Sequence, residues 1–203
     1  MSTDHERRVA AVTAGHTGDV DGARAALADG NASVRAAAVG ALHRLGALTA
    51  EEASACMADP DAGVRKRAVE SSIALDIDLS AALDDPEASV VEAAAFALGE
   101  RDHDPSPIDL LARVAAQHDD ELCRESAVAA IGALGANPHA DHDAVIDALI
   151  AALDDRATIR RRAIIGLHQF DDPRAEASVH AALEDKDRQV RALAADLLGV
   201  AAQ

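Results

Sequence analysis

The residues best suited to bind a metal ion lie between positions 138 and 143, in the sequence Pro-His-Ala-Asp-His-Asp. His139 and His142 are three residues apart, with Asp141 and Asp143 beside them, and imidazole and carboxylate groups are common ligands of divalent cations. The competing interpretation is structural, because Asp141 or Asp143 can cap the next helix while the histidines are solvated in a polar turn. We favour the structural interpretation, so no metal and no cofactor is predicted, with His139 and His142 as the alternative ligands.

The two cysteines are the other candidates for chemistry, and they are too few for a disulfide framework. Cys123 occupies a position at which other parts of the chain place valine or isoleucine, which predicts a buried apolar role. Cys56, near the end of a predicted helix, is the better candidate for a reactive thiol. No nucleophile–base pair, phosphate-binding loop or cofactor motif is visible, so we predict a non-enzyme in a reducing cytoplasm.

Aspartate and arginine recur in register along the chain. An aspartate precedes an arginine by six residues four times, whereas Val91 replaces the arginine after Asp85 and His118 replaces the aspartate before Arg124. Because guanidinium and carboxylate groups form paired hydrogen bonds, each arginine can reach an aspartate of its own unit or a neighbouring one. This pattern predicts a structural ladder of ion pairs formed by Asp29, Arg35, Asp59, Arg65, Asp85, Arg124, Asp154, Arg160, Asp185 and Arg191.

These charges are placed by a repeated helical pattern, in which an apolar anchor is followed four residues later by alanine. The six anchors are 30, 26, 33, 36 and 31 residues apart, which is typical of one helical unit stacked repeatedly. Positions 0, 4 and 8 share one helix face, so each anchor belongs to the second helix of a pair. The anchors and their alanines are Val34 and Ala38, Val64 and Ala68, Val90 and Ala94, Cys123 and Ala127, Ile159 and Ala163, and Val190 and Ala194.

The first helix of each pair precedes a turn marked by the recurring aspartate. We predict these helices at about 20–28, 50–58, 79–83, 107–117, 143–153 and 173–183, with a leading helix at 5–14. The expected organisation is a single repeat domain, 1–203, with an N-terminal cap at 1–18 and repeats at about 19–46, 47–75, 76–100, 105–136, 140–170 and 171–203. The segment 99–106 is irregular and marks a bend or a division into two lobes.

The turn D-P-x-x-x-V-R, followed by a helix with x-x-A-V-x-A-L-G, resembles the HEAT repeat over residues 19–200. It is most similar to the short HEAT-like repeats of the phycocyanobilin lyase subunit family. The resemblance implies an all-α, right-handed α-α superhelix of about six helix pairs, whose second helices line a concave surface. Its members include scaffolds, adaptors and lyase subunits, so a lyase-like subunit or chaperone is an alternative function.

The net charge of −17 limits the partners that the surface can accept. A negative surface repels a phosphate backbone, which disfavours nucleic acid, and no apolar stretch is long enough to span a membrane. The chain has only two lysines, and such acidic, arginine-preferring composition resembles proteins of salt-loving archaea. We therefore expect the fold to loosen in dilute buffer; a helical circular-dichroism signal equal in molar and millimolar salt would refute this.

Two basic pairs, Lys66-Arg67 and Arg161-Arg162, lie two and three residues after their anchors, away from the core stripe. The resemblance places them in the concave groove, where they could select a protein partner. HEAT-like DNA glycosylases use such a groove, so DNA binding is a further alternative, although ion pairing within the stack explains the same residues.

Two apolar residues, Phe96 and Ile165, lie six residues after their anchors. If Phe96 faces the groove, both are apolar contacts for a partner; if the irregular third unit is rotated, Phe96 belongs to the core. The function predicted from these features is that of a monomeric scaffold or adaptor that binds another protein.

Overall fold

The computed structural model describes residues 2–101 and 107–200, which contain α-helices and short 3-10 helices and no strand. The 3-10 helices are Ala26–Ala28, Ser80–Asp84, Ala152–Asp154 and Ala182–Glu184. The α-helices are α1 Asp4–Thr17, α2 Val20–Ala25, α3 Ala32–Arg44, α4 Ala50–Met57, α5 Ala62–Glu70, α6 Ala88–Gly99, α7 Ile108–Gln117, α8 Glu121–Leu134, α9 His142–Ala151, α10 Ala157–Leu167, α11 Pro173–Ala181 and α12 Arg188–Leu198.

The chain divides into two compact units, Met1–Ala97 and Leu98–Gln203. The boundary lies next to the irregular segment predicted at 99–106, of which residues 102–106 lie outside the described residues. The predicted single repeat domain and its repeat boundaries stay predictions.

In the first unit, α1 packs against α3 and α3 packs against α5, with α2 and α4 behind them. The first helix of the third repeat is a 3-10 helix, Ser80–Asp84, because this shortened repeat leaves few residues before the turn at Asp85. Helix α1 forms the segment that was predicted as the N-terminal cap. Helix α1 packs on α3 in the way that one second helix packs on the next, and it begins with a capping box formed by Thr3 and Glu6.

In the second unit, α10 packs between α8 and α12, while α7, α9 and α11 form the accompanying layer. Helices α8 and α10 approach closely at two glycines. A β-carbon on Gly132 would lie 3.2 Å from the Cα of Gly166, and one on Gly166 would lie 3.3 Å from the Cα of Gly132. Neither position has room for a larger side chain, so these glycines set the distance between the two helices.

The repeated anchors and alanines form the core that the sequence predicted. Each of the six anchors is at most 1 % exposed, and all six paired alanines are fully buried. Ser72, which replaces the apolar residue of the other repeats, is buried and donates its hydroxyl to the Ala68 carbonyl at 2.6 Å. A core of small side chains gains little area per residue, so its stability depends on close helix packing.

Candidate protein-interaction surface and the arginine ladder

Four of the five recurring arginines each bind an aspartate of the following repeat, an arrangement that we call the arginine ladder. In each pair, Nε and Nη2 donate to the two carboxylate oxygens at 2.7–3.1 Å. Nη1 donates to a backbone carbonyl of the arginine's own repeat at 2.7–2.9 Å. The arginine side chains are 6–17 % exposed and the aspartates 8–21 %. The pairs are Arg35–Asp59, Arg65–Asp85, Arg124–Asp155 and Arg160–Asp185.

Each ladder aspartate also shapes the turn that it occupies. The Oδ1 atom of Asp59 accepts the N–H of Asp61 at 2.9 Å, and Asp61 in turn caps α5. Hydrogen bonds from the arginine and from this backbone N–H stabilise the carboxylate form. The Arg35 guanidinium is the main reason that the pKa of Asp59 lies below its usual value, and Arg160 lowers the pKa of Asp185 in the same way.

In the fifth repeat the prediction of Asp154 was wrong by one residue, since Arg124 binds Asp155. Asp154 is the last residue of the 3-10 helix Ala152–Asp154. Arg156 stands at the N-cap of α10, so Asp155 precedes the cap by one residue instead of the two that separate Asp59 from Asp61. Because this turn is one residue shorter, the carboxylate that reaches Arg124 of the neighbouring repeat belongs to Asp155 and not to Asp154.

The ends of the ladder differ from the prediction in two ways. Asp29 binds Arg7 of α1 through Nε at 2.7 Å, a pair that the sequence analysis missed. Arg7 precedes Arg35 by 28 residues, a spacing within the repeat range that could have revealed it. Arg191 keeps the Nη1 bond to the Asp185 carbonyl at 2.7 Å, but within residues 2–101 and 107–200 it has no carboxylate partner.

His118 occupies the aspartate position of the fourth repeat and makes the backbone hydrogen bond that a ladder aspartate makes. Its Nδ1 atom accepts the N–H of Asp120 at 3.0 Å, as a ladder carboxylate would. An accepting Nδ1 corresponds to the neutral imidazole, so this turn is maintained without an anion.

The predicted binding residues of the first unit lie together on α5 and α6. We call Lys66, Arg67, Glu70, Glu92 and Phe96 the first-unit patch. Lys66 Nζ lies 3.8 Å from Glu70 and 3.7 Å from Glu92, and Arg67 Nη1 lies 3.4 Å from Glu70. Phe96 is 55 % exposed, so the alternative that placed it in the core is wrong.

The second unit carries a corresponding set on α8 and α10, and we call Leu122, Glu125, Arg161, Arg162 and Ile165 the second-unit patch. Arg162 Nε donates to Glu125 at 3.1 Å, and Arg161 Nη1 donates to Gln189 of α12 at 3.1 Å. Ile165 is 46 % exposed and Leu122 is 61 % exposed.

Leu122 was not predicted as a surface residue, although its position in the repeat is distinctive. It directly precedes the anchor, where the other repeats have a small or polar residue. An exposed leucine at this position is therefore unexpected from the repeat pattern alone. The corresponding residues are Ser33, Gly63, Ser89, Thr158 and Gln189.

In the segment predicted as the alternative metal site, the side chains of Asp141 and His142 have structural partners. Asp141 caps α9 by accepting the N–H of Ala144 at 3.2 Å, which confirms the structural interpretation of this aspartate. His142 Nε2 lies 3.2 Å from the Asn137 carbonyl, and its ring meets Phe170 edge-on at 5.4 Å. The backbone N–H of His139 donates to the Asn137 side chain. Among the described residues there is no group of three or more side chains placed to hold a metal ion.

The two cysteines are both buried, and they do not form a disulfide with each other. Burial is the main reason that the pKa of the Cys56 thiol is raised, which disfavours the reactive thiolate. Cys123 is fully buried, as its anchor position predicted. In the part of the chain that the structure describes, no helix combines the length and apolarity needed to cross a bilayer.

The helices are paired, the second helix of each pair buries a recurring alanine, and the arginine ladder joins neighbouring repeats. These features define an all-α repeat protein of the solenoid class. A family model described as HEAT repeats matches residues 78–162 and 146–201, which together span more than half of the chain. The chain therefore belongs to the HEAT-repeat family. No curated protein matches the sequence.

Solved structures with the same fold are similar at low sequence identity. The YibA protein of Escherichia coli is 19 % identical, with a TM-score of 0.65, and the match covers 98 % of this chain and 76 % of that one. The complex of CpcE and CpcF of phycocyanin lyase from a Nostoc species is 23 % identical, with a TM-score of 0.50 over 98 % of this chain and 83 % of that one. A designed armadillo repeat protein in complex with a (KR)4 peptide is 16 % identical, with a TM-score of 0.50, covering 93 % and 84 % of the two chains.

Proposed function

We propose that this protein is a non-catalytic scaffold or adaptor that binds another protein through the exposed side of its second helices. The observation that carries the proposal is the exposure of Phe96, Leu122 and Ile165 on helices whose other apolar residues are almost all buried. Large apolar side chains next to arginine are typical of the residues that contribute most to protein interfaces. The proposed state is a cytoplasmic monomer.

The arginine ladder supports this assignment of roles. Its guanidinium groups are fully engaged by carboxylates and carbonyls, so they hold repeats together and have few donors left for a ligand. By contrast, Arg67 and Arg162 are about half exposed and each has one bridge to a glutamate. Those glutamates would also repel a phosphate backbone, which favours a protein partner over nucleic acid.

The alternative that the comparisons favour is a subunit or chaperone that acts on a bilin-bearing protein, because of the likeness to the CpcE–CpcF complex. An absorbance change when the protein is mixed with a bilin would favour this alternative. We rank it second because both cysteines, the thiols that could handle such a chromophore, are buried.

Site-specific photocrosslinking in host extract tests the proposal. A photoreactive amino acid is placed at Phe96, at Ile165 and, as a control, at His180, whose side chain is 54 % exposed but lies on α11, the first helix of its pair. We expect a defined set of proteins to crosslink at Phe96 or Ile165 and not at His180. An identical crosslinking pattern at all three positions, or none at the two patches, would contradict the proposal.

A further inference from the structure

The two patches differ in how their charges are balanced. In the first-unit patch, two cations face two carboxylates, Glu70 and Glu92. The second-unit patch contains two arginines but only one carboxylate, Glu125, and this carboxylate pairs with Arg162. Arg161 instead donates to the neutral amide of Gln189. The second-unit patch therefore carries an excess positive charge on a chain whose net charge is −17.

Arg161 also has an unused hydrogen-bond donor. Its Nε atom is buried and has no hydrogen-bond partner among the described residues. A buried N–H group without an acceptor is unfavourable, and more so when it belongs to a charged group. A carboxylate that displaced the Gln189 amide from Nη1 would accept a charge-assisted hydrogen bond there and would neutralise the guanidinium that carries the unsatisfied Nε.

Two exposed apolar side chains flank this charge. Ile165 follows Arg161 by four residues and Arg162 by three, so all three share one side of α10. On α8, Leu122 lies one turn before Glu125, and Glu125 bridges to Arg162 at 3.1 Å. The charge excess and the two apolar residues thus lie on the exposed sides of α8 and α10, which pack against each other within the second unit.

We infer that the second-unit patch binds an acidic, amphipathic segment of a partner protein. A carboxylate of that segment meets Arg161, and separate apolar side chains of the segment pack against Ile165 and against Leu122. This inference rests on the proposed function and specifies the class of partner. Charge complementarity selects an acidic segment over a basic one, because a basic segment would add a third cation beside Arg161 and Arg162.

Fluorescence anisotropy with synthetic peptides tests this inference. The probe is a labelled helical peptide of alternating glutamate and leucine turns, compared with peptides of the same pattern that carry glutamine or lysine in place of glutamate. The salt concentration is one at which circular dichroism shows the protein folded. We expect the glutamate peptide to bind about tenfold more tightly than the glutamine peptide, which corresponds to about 1.4 kcal/mol. The lysine peptide is expected to bind more weakly than both.

Variants locate the binding surface. Arg161→Gln and Ile165→Ala are each expected to weaken binding of the glutamate peptide about tenfold. Arg8→Gln is the matched control, because it removes the same charge from an exposed arginine of the first unit. Equal binding of all three peptides, or an equal loss in Arg161→Gln and Arg8→Gln, would overturn the inference.

The photocrosslinking experiment separates this inference from the proposed function. If host proteins crosslink at Ile165 while the glutamate peptide shows no preference, the scaffold function stands and the acidic partner class is wrong. If no protein crosslinks at either patch, the proposed function itself fails.

Discussion

Arginines one residue after the anchor and arginines two or three residues after it have different environments. Arg160, at the first position, is 6 % exposed, and all three of its donor atoms are engaged by Asp185 and the Asp155 carbonyl. Arg162, at the third position, is 52 % exposed and has one bridge to Glu125. Because consecutive helical residues point about 100° apart, a small shift along the helix separates a structural arginine from one that a partner can reach.

The comparison predicts that stability depends on the ladder and binding depends on the patches. A buried or half-buried ion pair that loses one partner leaves an uncompensated charge, whereas an exposed pair contributes little. Substitutions of chemically identical residues should therefore have separable effects.

The largest expected effect is on the free energy of unfolding of the Arg160→Ala variant. We expect a loss of about 2–3 kcal/mol, because Asp185 would remain largely buried without its partner. Arg191→Ala is the matched control; Arg191 has the carbonyl bond but lacks a carboxylate among the described residues, so its loss should stay below about 1 kcal/mol. Urea unfolding followed by circular dichroism measures both. Equal losses would show that the carboxylate pair contributes nothing specific.

Acid should weaken the ladder in a predictable pH range. The arginine partners lower the pKa of Asp59, Asp85, Asp155 and Asp185 below the unfolded value of about 3.9. A depressed pKa stabilises the fold above the unfolded value, and this stabilisation is lost as the pH falls through the lower, folded values. Urea midpoints between neutral pH and about pH 3 should therefore decrease on acidification. The decrease should be smaller in Arg160→Ala, and an identical pH dependence in that variant would argue against the ladder as its source.

Salt should distinguish the two classes of arginine further. The Debye length falls from about 8 Å at physiological ionic strength to about 3 Å at 1 M, and largely buried pairs are screened less than exposed ones. We expect the stability difference between the wild type and Arg160→Ala to change by less than about 1 kcal/mol over this range. Binding at the second-unit patch, in contrast, should weaken measurably with salt. A ladder contribution that disappears in 1 M salt would contradict this prediction.

The smallest expected effect on stability comes from reversing the charge of the exposed arginines. Arg67→Glu and Arg162→Glu should each change the free energy of unfolding by about 0.5 kcal/mol or less, because both side chains are about half exposed. Their effect should be on partner binding. Destabilisation comparable to that of Arg160→Ala would place these residues in the structural class.

Much of the fold was predictable because the repeat pattern reports burial directly. The anchor–alanine spacing predicted all six second helices, and the anchors and alanines are among the most buried residues of their helices. The first helix of each pair was also placed within a few residues of its observed ends. Capping residues and apolar periodicity both mark these helices in the sequence.

The missed features depend on contacts between repeats or on a local change of register. The choice of Asp155 over Asp154 follows from a turn that is one residue shorter, which two adjacent aspartates cannot reveal in sequence. Arg7 was missed because α1 lacks the anchor–alanine pattern that defines the other second helices.

The patches were predicted only in part, because exposure depends on the tertiary packing around each side chain. The spacing from the anchors placed Lys66, Arg67, Arg161 and Arg162 away from the core stripe. It did not distinguish core from surface for Phe96, which is 55 % exposed. Glu70 lies on the same helix as Lys66 and Arg67, but Glu92 and Glu125 pair with cations of a neighbouring helix. Such pairings cannot be read from a single chain position.

Quantitative affinity capture from host extract tests the central claim most directly. The wild type is compared with an Arg162→Glu, Ile165→Asp double variant and with Arg8→Glu, which has a reversed charge at an exposed position outside both patches. The account predicts that proteins captured by the wild type are retained by Arg8→Glu and lost from the double variant, while both variants keep the wild-type helical content. Retention of the same proteins by the folded double variant would contradict it.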